Sequence, residues 1–354
     1  MINVSTVPVF GLSADNKENF MLKNMNELTQ FHLQNNKEYK ILLEKFGQIK
    51  QSYYSLSDVP FIPVRLFKHN DLISVPIENI SKTMTSSGTS GQNVSKIFLD
   101  KDTSALQVKV LSKIVTNFIG TKRLPMLIID AKSTISNREK FSARTTGIRG
   151  FSMFGRDIEF ALDKDMTINF DRVDSFLKKH ESQEILIFGF TYIIWKYLIL
   201  ELERLDRKIN ITNGILFHGG GWKHLENESI SNNDFNIKIS NFSNITKIHN
   251  YYGMVEQTGS IFVECKHGFF HTPSFSDLII RNHKTHLPEE FGNQGLIQLL
   301  SVIPKSYPGH SLLTEDIGTI YGIDNCKCGR MGKYFKVHGR MKNAEVRGCS
   351  DTYS

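Results

Sequence analysis

Residues 85–100 read TSSGTSGQNVSKIFLD. The first seven are all Ser, Thr or Gly, and the closing SKIFLD has the composition of a strand. Such a run is either a flexible linker or a loop shaped to hold an anion. It is not the GxxxxGK[ST] phosphate loop, because no Lys directly follows Gly91, and it is not GxGxxG. Its chemistry nevertheless suits oxygens. Gly88 and Gly91 let backbone amides come close, and the hydroxyls of Ser86, Ser87, Thr89 and Ser90 can donate. A linker would carry longer low-complexity flanks. On these residues alone, an anion cradle and a simple Ser/Gly turn both stay open.

Outward from the loop, apolar residues before it recur at spacings of three and four: Phe20, Met21, Met25, Leu28, Phe31 and Leu33, then Tyr39, Leu42, Leu43 and Phe46. This predicts amphipathic helices with a break near Asn35 and Asn36. Pro60 and Pro63 then force extended backbone. After the loop, residues 105–119 read as a helix, 124–130 as a strand, 184–190 as a strand running into a helix, 214–221 as a strand ending in glycines, and 247–252 as a strand entering a polar turn. From residue 289 the pattern changes to short strands with Gly turns. Strands alternating with helices predict an α/β fold with a parallel or mixed sheet.

The 354 residues are 40% hydrophobic and 22% charged, enough apolar material for a sizeable core of one large domain or two. Formal net charge is +7, but the basic residues are scattered and lack aromatic interleaving, so no nucleic-acid surface is expected. The strongest apolar stretch, residues 184–203, is interrupted by Gly189 and Lys196 and bounded by acids, which does not describe a membrane span. The N-terminus lacks the charged and apolar regions of a secretory signal, and four cysteines do not make a disulfide scaffold. A cytoplasmic protein that is not a membrane protein is expected.

Three further motifs follow in order. Residues 249–260, HNYYGMVEQTGS, place Tyr251 and Tyr252 before Gly253 and the acid Glu256 three residues later. A tyrosine there can stack on a purine, and Glu256 can hold Mg²⁺. A core strand ending in a polar turn would look the same. Residues 312–321, LLTEDIGTIY, put Asp316 at a strand end, where it can accept from ribose hydroxyls. Residues 338–342, HGRMK, place Arg340 in a turn, able to bond ribose or phosphate.

In this order the motifs resemble those of the adenylate-forming superfamily of acyl ligases. The resemblance implies that Ser86, Ser87, Gly88, Thr89, Ser90 and Gly91 bind pyrophosphate and that Tyr251, Tyr252 and Gly253 lie beside adenine. It likewise implies that Glu256 holds Mg²⁺, Asp316 holds ribose, and Gly339 to Lys342 begin the mobile C-terminal part. Residues 215–222, ILFHGGGW, are similar to a strand end lining the adenine pocket, with Gly219 and Gly220. Residues 188–195, FGFTYIIW, resemble a segment walling the acyl pocket, with Phe188, Gly189 and Thr191. Two departures stand out. The loop continues Gln92, Asn93, Val94, Ser95, Lys96 rather than Pro-Lys-Gly, leaving open whether Lys96 replaces that lysine. Fifteen residues follow Gly339, and no equivalent of the family's C-terminal catalytic lysine is expected among them.

That tail carries Cys349. The combination VPFIPVRLFK (59–68), the loop, and RGCSDT (347–352) looks like the LuxE-type acyl-protein synthetases. This closer resemblance implies ATP-dependent activation of a long-chain fatty acid, capture on Cys349, and transfer to a reductase subunit, with an acyl-transferase subunit as a further partner. The pathway it implies is luminescence aldehyde synthesis. Arg340, Lys342 and Arg347 around Cys349 would lower its thiol pKa; an idle tail cysteine is the bland alternative. The implied organisation is a helical N-terminal region (1–75), an adenylate-forming core of mixed β-sheets flanked by helices (76–338), and a short mobile tail (339–354) in place of a full C-terminal domain. Two rival functions stay open: an acyl-CoA or acyl-carrier ligase resembling phenylacetate–CoA ligase, in which Cys349 is idle, and a degenerate adenylate-binding scaffold.

Cys265, His271, Cys326 and Cys328 could form a tetrahedral structural Zn²⁺ site, with His267 as a rival ligand. Buried reduced cysteines would serve equally. Trp195 and Tyr197 read as core. His218 reads either as a ligand contact or as a satisfied core histidine, and Arg144 and Arg149 as either phosphate contacts or solvated loop basics.

Overall fold

The computed structural model describes residues 4–86, 94–136, 143–222 and 230–341. The chain opens with helices α1 (Ala14–Asn35) and α2 (Lys37–Lys45), followed by strand β1 (Ile62–Pro63) and the hairpin strands β2 (Ile80–Thr85) and β3 (Lys96–Asp100). Next come α3 (Lys101–Ile119), β4 (Leu124–Ala131), α4 (Ala143–Ser152), β5 (Gly155–Leu162), α5 (Phe170–Lys179) and β6 (Ile185–Phe190). A helical run then passes from α6 (Thr191–Ile194) through the π-turn Trp195–Ile199 into α7 (Leu200–Arg204). After it lie β7 (Gly214–Gly219), α8 (Asn232–Ser243), β8 (Lys247–Tyr252), β9 (Phe262–Glu264), β10 (Phe270–His271), β11 (Ser276–Arg281), β12 (Gln294–Ser301), β13 (Ser311–Ile323) and β14 (Lys333–Arg340). Among the described residues, no helix is long and apolar enough to cross a membrane.

The described chain falls into two compact units. One comprises 4–86, 94–117 and 253–341, and the other 118–136, 143–222 and 230–252. The second unit is a parallel sheet in the order β5-β4-β6-β7-β8. Every residue of β6 (ILIFGF) and β7 (GILFHG) is buried, as expected of inner parallel strands whose two faces are both covered. Helix α5 begins where the Asn169 side chain accepts the Arg172 amide (3.0 Å), and α8 where Ser231 Oγ accepts from Asp234 (3.1 Å). The α8 helix ends at Asn244 in the left-handed region (φ 59°).

The first unit is built on an antiparallel sheet in the order β11-β12-β13-β14-β10-β9, with β1 alongside β13 in parallel. Strands β2 and β3 form a separate two-stranded ladder. The expected break between the first helices is real. Asn36 stops α1, and its side chain caps α2 by accepting the Tyr39 amide (2.8 Å) while donating to the Ile73 carbonyl (2.9 Å). Met21, Met25 and Leu28 are the buried stripe of α1.

Two strands were not anticipated from the sequence, and one helix departs from its reading. Strand β2 precedes the Ser/Gly loop, but its sequence ISKTMT buries only Met84, so period-two patterning is faint. Strand β5 begins GRDIE, of which Arg156, Asp157 and Ile158 are exposed, so it lacks the unbroken apolar run of β6 and β7. Residues 143–152, read as a basic loop, are helix α4.

Candidate active site

In the first unit, β2 and β3 pair antiparallel from Ile80↔Asp100 to Thr85↔Lys96, and the neck beyond them is closed twice. Ser86 N donates to the Ser95 carbonyl, and Ser95 N donates to Ser86 Oγ, both at 2.9 Å. Ser86 is thus the first residue of a hairpin connection. Ser87, Gly88, Thr89, Ser90 and Gly91 lie outside the described residues. Lys96 is 3.8 Å from Asp71, an exposed ion pair.

Glu256 is on a short 3₁₀ turn, Val255–Gln257, and is 2% exposed. This turn packs against β3. Its backbone is fixed by residues that sequence patterning did not single out. Tyr307 Oη donates to the Glu256 carbonyl (2.9 Å), and Gln257 Nε2 donates to the carbonyls of Gly309 (2.9 Å) and Leu299 (3.2 Å). Only the Pro-Gly after Tyr307 hinted at a tight segment there. Burial raises the Tyr307 hydroxyl pKa, so it remains a donor.

One apolar cluster joins the elements that carry the motifs. It contains Met84 of β2, Ile97 and Leu99 of β3, Tyr307 from the segment before β13 and Leu312 of β13, with Met254 and Val255 packed on it beside Glu256. Asp316 sits in β13 opposite Arg340 of β14, and Arg340 Nε is 3.4 Å from Asp316 Oδ1. Thr314 Oγ1 receives the Asp316 amide (3.1 Å) and donates to the Ile297 carbonyl (2.8 Å), where the β12–β13 register shifts just before the acid. The neighbouring Glu315 pairs with Arg65.

In the second unit, the carboxyl ends of β6, β7 and β8 align Phe190, Gly219 and Tyr251 in one row and Gly189, His218 and Asn250 in the next. Open parallel sheets bind ligands at this end. A Cβ on Gly219 would lie 2.6–2.8 Å from three atoms of the Tyr251 ring, so glycine lets that ring lie against β7. Gly220 leaves the strand at φ 81°. Tyr251 belongs to an aromatic layer. Phe151 is 5.3 Å away centre to centre, and Phe151 stacks on Phe188 at 4.3 Å. Phe188 is fully buried in that layer, and Tyr252 is half-buried at the end of β8. Gly189 packs between Ile194 and Ile129. Thr191 Oγ1 lies 2.9 Å from His218 Nδ1 and 3.2 Å from the Gly219 carbonyl, to which it donates. The hydroxyl therefore accepts from His218 Nδ1. Burial pushes the His218 pKa down to about 3, so the ring is neutral, with Nε2 as its lone-pair nitrogen. Trp195 is buried and Tyr197 half-buried in the helical run.

Arg144 does not face phosphate or solvent. It is 1% exposed and paired with Asp130 at the end of β4. Arg149 donates to the Ile135 carbonyl (3.0 Å). Cys349 lies outside the described residues. Cys265, His271, Cys326 and Cys328 converge in the first unit, with their ligand atoms all within 4.8 Å of one another. His267 is exposed and is not among the four.

The family model described as "Acyl-protein synthetase, LuxE" matches residues 3–354. A long-chain-fatty-acid–luciferin-component ligase of Aliivibrio fischeri is 23% identical over 344 residues, covering 93% of this chain and 86% of the relative. The enzyme of the same name from Vibrio harveyi is 22% identical over 335 residues, covering 91% and 84%. Among solved structures, an open conformation of 2-hydroxyisobutyryl-CoA ligase, in complex with 2-HIB-AMP and CoA, superposes with a TM-score of 0.72 at 15% identity, covering 95% of this chain and 78% of its own. ATP-bound MatB from Rhodopseudomonas palustris reaches a TM-score of 0.50 at 15% identity, covering 76% and 49%. The fold is that of adenylate-forming ligases, and the match over nearly the whole length decides the family: this chain belongs to the LuxE acyl-protein synthetases and is an acyl ligase.

Proposed function

We propose that the protein uses ATP to convert a long-chain fatty acid to acyl-AMP, takes the acyl group onto Cys349 as a thioester, and passes it to a reductase partner, with an acyl-transferase subunit as a further partner. The observation that carries this reading is the shared apolar cluster that holds the neck of the Ser/Gly hairpin, the Glu256 turn and β13 together. Three motifs far apart in sequence are thereby seated on one support. The names of the curated relatives, long-chain-fatty-acid–luciferin-component ligases, supply the substrate class and the luminescence setting. ATP and a reduced thiol both suit the cytoplasm.

A carboxylate is a poor acyl donor until one of its oxygens carries a leaving group. In the first step that oxygen attacks the α-phosphorus of ATP, the α–β P–O bond breaks, and pyrophosphate leaves. Ser86 and the residues 87–91 that follow it are assigned to the phosphates, Gly219, Gly220, Tyr251 and Tyr252 to adenine, and Asp316 with Arg340 to ribose. Glu256 offers the hard oxygen donor that Mg²⁺ takes alongside phosphates, on a backbone fixed by Tyr307 and Gln257, and the ion would supply charge neutralisation there. In the second step the Cys349 thiolate attacks the acyl carbonyl carbon, the bond to AMP breaks, and the thioester retains the activation.

Fatty-acid-dependent exchange of pyrophosphate into ATP tests the first step. Glu256→Gln is expected to lower it by about 10²-fold. With labelled acid, wild-type chain acquires hydroxylamine-labile label and Cys349→Ser does not. Exchange with no label on the chain, and CoA ester in solution, replaces self-acylation by a CoA-ligase function. Absence of exchange leaves only a nucleotide-binding scaffold.

A further inference from the structure

The turn joining β9 to β10 begins at Cys265 and closes on itself: Cys265 N donates to the Phe269 carbonyl and Gly268 N to the Cys265 carbonyl, both at 2.9 Å. His271 follows in β10. The turn joining β13 to β14 carries Cys326 and Cys328, with Gly329 N donating to the Cys326 carbonyl at 2.9 Å. Because β10 pairs with β14 through His271↔Tyr334, the sheet register brings both turns to the same place. The sulfurs of Cys265 and Cys326 are 4.0 Å apart, and Cys328 Sγ is 3.2 Å from His271 Nε2.

We propose that Cys265, His271, Cys326 and Cys328 bind one structural Zn²⁺ ion that clamps these two turns together. A tetrahedral ion with Zn–S near 2.3 Å and Zn–N near 2.0–2.1 Å requires S···S of about 3.8 Å and S···N of about 3.6 Å. The observed separations straddle those values, whereas a disulfide would need the sulfurs at about 2.05 Å. Three thiolates and an imidazole in a tetrahedral set select zinc among common divalent ions. An outer shell is already built. The amide of His267 donates to Cys265 Sγ (3.4 Å). The bound set would carry one net negative charge, and Arg330 and Lys17 are the cations that act on His271.

Cys265, His271 and Cys326 are buried, while Cys328 is half-buried and lines a surface cleft of about 420 Å³ together with Phe10, Asn117 and Arg330, which gives the ion a way in. Four protein ligands leave no open position for a substrate, so the ion is structural. Its reach extends to the N-terminus. Met331 N donates to the Phe10 carbonyl (3.0 Å), and Asp324 accepts from Ala14 N (2.7 Å) and Gly332 N (2.6 Å). Ser13, at the N-cap of α1, makes no side-chain cap bond, so Asp324 of the cysteine turn caps that helix in its place.

Full-length protein purified under reducing conditions without chelator should contain one zinc per chain by elemental analysis. Cys326→Ser should hold less than a tenth of that, while His271→Cys, which keeps four ligands, should retain it. If Cys326→Ser does not fold, chelator-stripped wild-type protein should take up one Co²⁺ and show the intense visible bands of a tetrahedral thiolate site. Metal-free wild-type protein that takes up no stoichiometric Zn²⁺ or Co²⁺ overturns the assignment. So does iron in place of zinc, or zinc unchanged in Cys326→Ser. None of these measurements depends on ligase activity.

Discussion

Replacing Arg144 by Met should destabilise the parallel-sheet unit more than any exposed substitution, and the reason can be read from its contacts. Arg144 Nε donates to Asp130 Oδ2 at 2.7 Å and Arg144 Nη2 to Oδ1 at 2.5 Å, with both side chains 1% exposed. Oδ1 has further donors in the Ala131 amide (2.6 Å) and Thr134 Oγ1 (2.7 Å). Oδ2 would lose its guanidinium donor and face a dry interior. Stripping one partner from a buried ion pair costs about 3–5 kcal/mol, chiefly because the remaining charge is uncompensated. Both tryptophans of the chain, Trp195 and Trp222, lie in the same unit, so their fluorescence during urea unfolding reports on it. With a slope of roughly 1–3 kcal/mol per molar urea, the midpoint should fall by about 1–5 M. The double variant Asp130→Asn/Arg144→Met should be more stable than the sum of the single losses by about 1–3 kcal/mol. A single-variant loss below about 1 kcal/mol, or strict additivity, would refute the claim that this pair binds α4 to β4.

Gly219→Ala should displace the Tyr251 ring, destabilise the unit by about 1–3 kcal/mol through overpacking and weaken near-ultraviolet circular dichroism; an unchanged spectrum with wild-type stability sinks that contact. Asp316→Asn should raise the KM for ATP about tenfold while leaving the thermal midpoint within a degree or two; an unaltered KM removes Asp316 from the ribose site. Acid should act through three buried histidines. Burial holds His32 and His218 down to about pKa 3 and His310 well below its ordinary range. The unfolded chain therefore binds protons first, and stability, complete above about pH 6.5, declines as pH falls from there toward 3, by up to about 1.4 kcal/mol per pH unit per histidine. Urea midpoints measured from pH 7 to pH 4 should show this decline, and His218→Asn should make it shallower by about a third; a flat wild-type profile contradicts the buried neutral rings.

Strands that are apolar throughout, such as β6 and β7, were legible because inner parallel strands bury both faces and leave an unbroken hydrophobic run. The α1–α2 break was legible because Asn at a helix end is a strong local signal. Strand β2 was not, since one buried residue in six gives no period. Helix α4 was hidden by its polarity: ARTTGIRGFS has two glycines, and the partner that makes Arg144 a core residue is Asp130, in another element. The candidate site shows the same division. Motif residues such as Glu256 and Asp316 announce themselves by type and spacing. The groups that hold them, Tyr307 and Gln257 for one and Thr314 for the other, become visible only when distant segments meet. Convergence of Cys265 and His271 with Cys326 and Cys328 was foreseeable from residue type, but their register is set by β10 and β14.

Strands β2 and β3 ladder only with each other among the described residues. The hairpin is therefore seated on its neighbours chiefly by grease, through Met84, Ile97 and Leu99, rather than stitched into either large sheet. Non-directional burial tolerates small sliding that a hydrogen-bonded ladder would resist. Such a mount lets the two strands of the finger shift as one piece over their apolar bed without unzipping a ladder on either side.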